Sequence, residues 1–173
     1  KGVIPIRDTK TLQLVGQFPT YGEKPHDCHL IENGKVMAIT NGGGPVDDIM
    51  EQPSVTFVDI ETRKLLEKIE LDSHAFNTGH LAYQNGDLVV VSAPREGLDE
   101  MSLGAVSIRK KNHKLVTMTD PESITAKIYG EALSVTIEPT KRIAAVTHPS
   151  GNLVTFWSID ENALLNALSL SHA

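Results

Sequence analysis

Residues 24–30 read KPHDCHL, which places His26, Asp27, Cys28 and His29 side by side, and Cys28 is the only cysteine of the chain. Imidazole, thiol and carboxylate can ligate a metal, attack a carbonyl or pass protons. Each chemistry sets its own spacing. A structural zinc site needs a second short-spaced Cys or His pair, and none follows. A catalytic thiol needs a base on its own side and an oxyanion hole. His26 is the one local base and no triad is visible, so Cys28 reads as a buried structural cysteine. On a strand, His26 and Cys28 project one way and Asp27 and His29 the other. Any three-ligand site must therefore be assembled from distant segments.

The elements that would do this repeat. VIPIRDTKTLQLVGQF, VTFVDIETRKLLEKIEL, VSIRKKNHKLVTM and VTFWSIDENALLNALSL begin at Val3, Val55, Val106 and Val154, spaced 48 to 52 residues apart. Each alternates apolar and polar residues, passes a polar turn and enters a second apolar strand. Between them lie hairpins of another kind: DCHLIENGKVMAIT, HLAYQNGDLVVVS and ALSVTIEPTKRIAAVT. Asn33-Gly34 and Asn85-Gly86 predict type I′ turns, while Pro139-Thr140 predicts another type. Only DENALLNALSL has the propensity of a short helix. Four antiparallel strands per repeat of this length are the signature of a β-propeller blade, with a β-sandwich as the alternative.

Composition suits a soluble globular domain: 173 residues, 40% hydrophobic, 22% charged, formal net charge −6. No Lys/Arg run is longer than Arg109–Lys111, so a nucleic-acid partner is not expected. No apolar run approaches a membrane span, so membrane insertion is not expected either. The chain opens KGVIPIRD, already in strand-like alternation, which reads as a piece of a longer product.

The segments GQFPTYGEKPHDCHLIENGKVMAITNGG, QPSVTFVDIETRKLLEKIEL, GHLAYQNGDLVVVS and AVTHPSGNLVTFWSID resemble the bacterial family called domain of unknown function 1513, a YVTN-type, WD40-like propeller family. The resemblance runs over nearly the whole chain. It implies an exported, periplasmic propeller of seven blades and about twice this length, with no established activity. YVTN strand order then implies a half blade at 3–18 and complete blades at about 26–71, 80–119 and 131–170. Three and a half blades cannot close a ring, so a second copy or the missing part of the propeller is the expected partner.

In such a propeller His26 and His80 both open inner strands and face the channel mouth, and His148, in THPSG, lies on a rim. With Asp27, His29 and Asn41 they form the candidate ligand-binding set, open to a small molecule or protein. His26 and His80 are the candidate ligands if a divalent metal is the cofactor. The alternative is that these histidines cap strands and bond neighbouring carbonyls. Because no complete catalytic constellation is legible, the expected function is a non-catalytic binding or scaffold module. The other reading is a metal-dependent hydrolase resembling lactonase-type propellers, using His26, Asp27, His80 and Asn41. Loops 41–53 and 93–101 read as flexible and solvated. Of Phe156 and Trp157, strand parity sends one into the core.

Overall fold

The computed structural model describes residues 2–170. β1 (Val3–Arg7) and β2 (Leu14–Pro19) form a two-stranded antiparallel sheet. Three four-stranded antiparallel sheets follow. The second contains β3 (Pro25–Ile31), β4 (Val36–Asn41), β5 (Ser54–Asp59) and β6 (Leu65–Glu70). The third contains β7 (Leu81–Gln84), β8 (Asp87–Ser92), β9 (Ala105–Arg109) and β10 (Val116–Thr117). The fourth contains β11 (Val135–Glu138), β12 (Ile143–His148), β13 (Leu153–Ser158) and β14 (Ala163–Ser169). Within each sheet, spatial order follows chain order.

The apolar side chains decide between propeller and sandwich. One cluster joins Phe18 to Ile39 and Val58, across the first and second sheets. A second joins Ala38, Val55 and Phe57 to Leu88 and Val90, across the second and third. A third joins Val89, Val91 and Ile108 to Ala144, Val146 and Trp157, across the third and fourth. The second and third sheets thus bury both faces, as consecutive blades do, whereas a sheet in a two-layer sandwich buries one. The chain is an all-β partial propeller of three four-stranded blades and a half blade. Trp157, rather than Phe156, enters the core and is fully buried.

The turns explain the register. Asp8 Oδ1 accepts the amides of Lys10 and Thr11 at 3.0 and 2.7 Å, and Asp59 Oδ1 accepts that of Thr62 at 2.7 Å. Ser158 Oγ accepts the amide of Glu161 at 3.1 Å in the same position of the last blade. Each turn closes on a left-handed residue, Leu12, Arg63 or Asn162. Each is preceded by a register shift, at Ile6/Arg7, Phe57/Val58 and Phe156/Trp157. The shared bulge and turn mark β1 and β2 as the third and fourth strands of a blade.

Of the two Asn-Gly turn expectations, one is met and one is not. Asn85 and Gly86, with φ of 54° and 96°, join β7 to β8 as the expected two-residue type I′ turn. Asn33 and Gly34 instead belong to a four-residue connection, because Ile31 pairs with Val36 and Lys35 donates to the Glu32 carbonyl. The helical propensity of DENALLNALSL is also overridden. Ala163–Ser169 is the edge strand β14, held along β13 from Ser158 to Leu153.

Candidate functional site

β3 and β7 are the first strands of consecutive blades, and their N-terminal ends bring His26, Asp27, His29 and His80 together. His26 and His80 meet edge to face, ring centroids 4.9 Å apart. His29 Nε2 lies 3.2 Å and His80 Nδ1 3.4 Å from the same oxygen, Asp27 Oδ2. That oxygen also accepts the backbone amide of Leu81 at 3.2 Å, while Asp27 Oδ1 accepts that of Cys28 at 2.8 Å. Thr40 Oγ1 accepts the Asp27 amide at 2.9 Å and so fixes its backbone from β4. Asp27 is therefore the hub, with two amides and two imidazoles around one carboxylate.

Strand parity correctly places Asp27 and His29 on one side. It does not foresee that His26 also reaches His80. A register shift between Pro25 and Cys28 interrupts the alternation there and turns the His26 ring towards the next blade. His26 and Cys28 also line, with Val3, Ile4 and Pro5, a cavity of about 260 Å³ between β1 and β3.

Exposure and charge give the cluster its chemistry. The Asp27 side chain is 19% exposed, against 45% for His29 and 41% for His80, so the imidazoles are open while the carboxylate is shielded. Burial pushes the Asp27 carboxyl up. The Leu81 amide, the charge of His29, the Cys28 amide and the charge of His80 outweigh it and hold the carboxyl below its ordinary value. Asp27 remains an anion, hydrogen-bonded to His29 Nε2 and ion-paired with His80 Nδ1, which leaves His29 Nδ1 and His80 Nε2 as the nitrogens not turned to it.

The metal expectation for His26 and His80 meets a physical obstacle. Asp27 Oδ2 is already surrounded by the Leu81 amide and the His29 and His80 imidazoles, while Oδ1 accepts the Cys28 amide. Among the described residues no group of three or more His, Cys, Asp or Glu side chains is arranged to hold a metal ion.

Asn41 and His148 do not present themselves at the channel mouth. Both are fully buried, and both end the second strand of a blade. Asn41 Nδ2 donates to Thr56 Oγ1 at 3.1 Å, and His148 Nε2 lies 2.8 Å from Thr155 Oγ1. The two threonines occupy equivalent places on the third strand, so these are repeated bonds inside a blade. Burial pushes the His148 imidazole down to about 4, so it is neutral at ordinary pH. Cys28 also corrects an expectation. It is exposed rather than buried, and burial of part of the side chain, together with the Asp27 charge, pushes its thiol up. A thiol so placed is a poor nucleophile at neutral pH.

Loop 42–53 is pinned by a residue that sequence reading did not single out. Arg95 is fully buried, and its guanidinium donates to the carbonyls of Gly44, Asp48 and Glu51 at 2.8, 2.7 and 3.1 Å. Gln52 Oε1 accepts a further bond at 3.1 Å. Gly43, at φ 76°, is required because a Cβ there would meet the Glu51 carbonyl and Pro53 nitrogen at 2.7 Å. The only sequence signal for this was an arginine beside an otherwise acidic loop.

Comparison with known proteins adds a family but no reaction. A family model described as "Protein of unknown function (DUF1513)" matches residues 1–173. No curated protein matches the chain. Among solved structures, the chain is similar to a hydrazine synthase chain from Kuenenia stuttgartiensis, with TM-score 0.68 and 13% identity, over 97% of this chain and 56% of that one. It is also similar to a chain of a mitotic checkpoint complex, with TM-score 0.63 and 14% identity, over 96% of this chain and 45% of that one. At such identities the likeness concerns the fold alone. Among the described residues no helix is long and apolar enough to cross a membrane.

Proposed function

We propose, for a chain that belongs to the DUF1513 family of proteins of unknown function, the role of a non-catalytic ligand-binding part of a propeller. Its ligand is a small oxyanion, such as a carboxylate, held where His26, His29 and His80 surround Asp27. The observation that carries this reading is that one shielded carboxylate collects imidazoles from two consecutive blades and leaves their outer nitrogens open. A protonated imidazole donates from both nitrogens, one to Asp27 and one outward. The resulting charge-assisted bonds are the strong kind. The hydrolase alternative has no comparable support, since Asn41, one of its four residues, is buried and bonded to Thr56 rather than placed with the histidines.

The family resemblance also carries the proposal of an exported, periplasmic protein. Val154 and Phe156 are half-buried on the outward side of the last blade, which supports a further blade or a second copy packing there.

Calorimetric titration with succinate tests the binding role, with zinc as the competing probe. Saturable succinate binding is expected. His80→Ala is expected to weaken it by about ten-fold or more. Succinate binding that His80→Ala leaves unchanged would overturn the reading, as would tight zinc binding with none of succinate.

A further inference from the structure

A second site lies at the other end of β3, where Glu32 and Asn33 begin the turn. At about 3.3 Å per residue Glu32 lies roughly 10 Å along the strand from His29 and roughly 20 Å from His26. Here the second and third blades part to form a cleft with two lobes of about 540 and 530 Å³, within the range of small-molecule sites. The outer lobe is mixed, with an apolar wall of Ile31, Val36, Phe57 and Leu66 facing Glu67, Arg109 and Asn112. The inner lobe is polar, walled by Asn33, Gln84 and Asn85. Glu32, Tyr83 and Lys111 line both lobes.

The polar groups between the lobes differ in what they have left to offer. Tyr83 donates its hydroxyl proton to Glu32 Oε1 at 2.8 Å, and its ring stands 6.1 Å from that of Phe57. Burial, the Glu32 hydrogen bond and the Glu32 charge push the Tyr83 phenol up to about 12, so it stays neutral. Arg109 is fully engaged. Its two terminal nitrogens grip Glu67 at 3.1 and 2.7 Å, and Nε donates to the His113 carbonyl. Lys111 is different. Its stem lies on Gly86, where a Cβ would come within 2.7 Å of Lys111 Cγ. Its ammonium has no hydrogen-bonded or ion-paired side chain among the described residues.

We propose that this inter-blade cleft binds a small monocarboxylate with an apolar body, the carboxylate on the Lys111 ammonium and the body against Phe57, Ile31, Val36 and Leu66. Charge complementarity sets the class. One unpaired cation calls for one anionic group, and the Glu32 and Glu67 carboxylates on the same walls repel a second. Apolar packing in the outer lobe supplies most of the affinity, and Lys111 supplies the preference for an acid over its amide.

Phenylbutyrate and phenylbutyramide, titrated into the protein while amide resonances are followed, test this. Phenylbutyrate is expected to shift the Gly86 and Lys111 amides saturably and to bind about two- to five-fold more tightly than the amide, as an exposed charge pair gives. Lys111→Met keeps the stem on Gly86 and is expected to erase that preference while leaving amide binding in place. Absence of saturable shifts at Gly86 and Lys111, shifts confined to the His26–His80 end of the blades, or an acid preference that survives Lys111→Met would each overturn the proposal. Shifts confined to the His26–His80 end would support carboxylate binding at the histidine cluster while overturning this cleft, and the other two outcomes leave succinate binding there untouched, so the two readings are told apart.

Discussion

Trp157→Ala is expected to lower the free energy of unfolding by about 3–5 kcal/mol, the usual cost of deleting a large buried aromatic. Trp157 is fully buried in the cluster that joins the third and fourth blades, with Val91, Ile108 and Val146 as neighbours there. Its indole Nε1 donates to Thr155 Oγ1 at 2.7 Å, and the same oxygen lies 2.8 Å from His148 Nε2. Removing the indole therefore opens a void between two blades and takes away one partner of a buried polar group. Because Trp157 is the only tryptophan, unfolding should be followed by far-ultraviolet circular dichroism in urea rather than by fluorescence. Trp157→Phe should cost less, since it keeps a ring in the interface and loses only the Nε1 bond. A cost below about 1 kcal/mol for Trp157→Ala would mean that this interface does not hold the blades together.

His148 governs the second large effect, which depends on pH. Its imidazole is pushed from 6.5 down to about 4 by burial in the folded chain. Between those values the unfolded chain binds a proton that the folded chain does not, so stability falls as pH falls through this window. A displacement of this size corresponds to roughly 3 kcal/mol lost between about pH 6.5 and pH 4. The stabilisation is complete above the window. Asp27 adds a second loss in the same direction at lower pH, because a depressed carboxyl stabilises the fold until it is protonated. Urea unfolding across this range should show a steep wild-type dependence that His148→Gln flattens. Equal slopes for the two proteins would remove His148 as the cause.

Much of the fold was legible because a blade repeats its constraints. The recurrence of Val3, Val55, Val106 and Val154, and the turn residues Asp8, Asp59 and Ser158, mark equivalent places whose local chemistry survives changes of neighbours. The helical propensity of 160–170 misled, since pairing along the whole of β13 outweighs preferences of a few tenths of a kcal/mol per residue. The site was half legible. His26 and His80 were readable as openers of inner strands, which is where the structure has them. The His26 orientation was not readable, because a register shift leaves no signature in PHDC. Asn41 and His148 misled for a common reason. A polar residue ending a strand looks like a rim residue, yet in this fold that place is the buried end of a second strand, where one nitrogen of each side chain bonds a threonine across the sheet. Lys111 gave no warning at all, since what distinguishes it from Arg109 is the lack of a partner, which only the packed blades reveal.

The account rests on consecutive blades gathering the two inner-strand histidines at one end of their shared axis. A nuclear Overhauser spectrum of protein labelled only in its histidine rings tests this most directly. With centroids 4.9 Å apart, the rings of His26 and His80 should give a cross-peak that disappears in both His26→Ala and His80→Ala. A well-folded protein whose His26 ring shows no contact with that of His80 would contradict it.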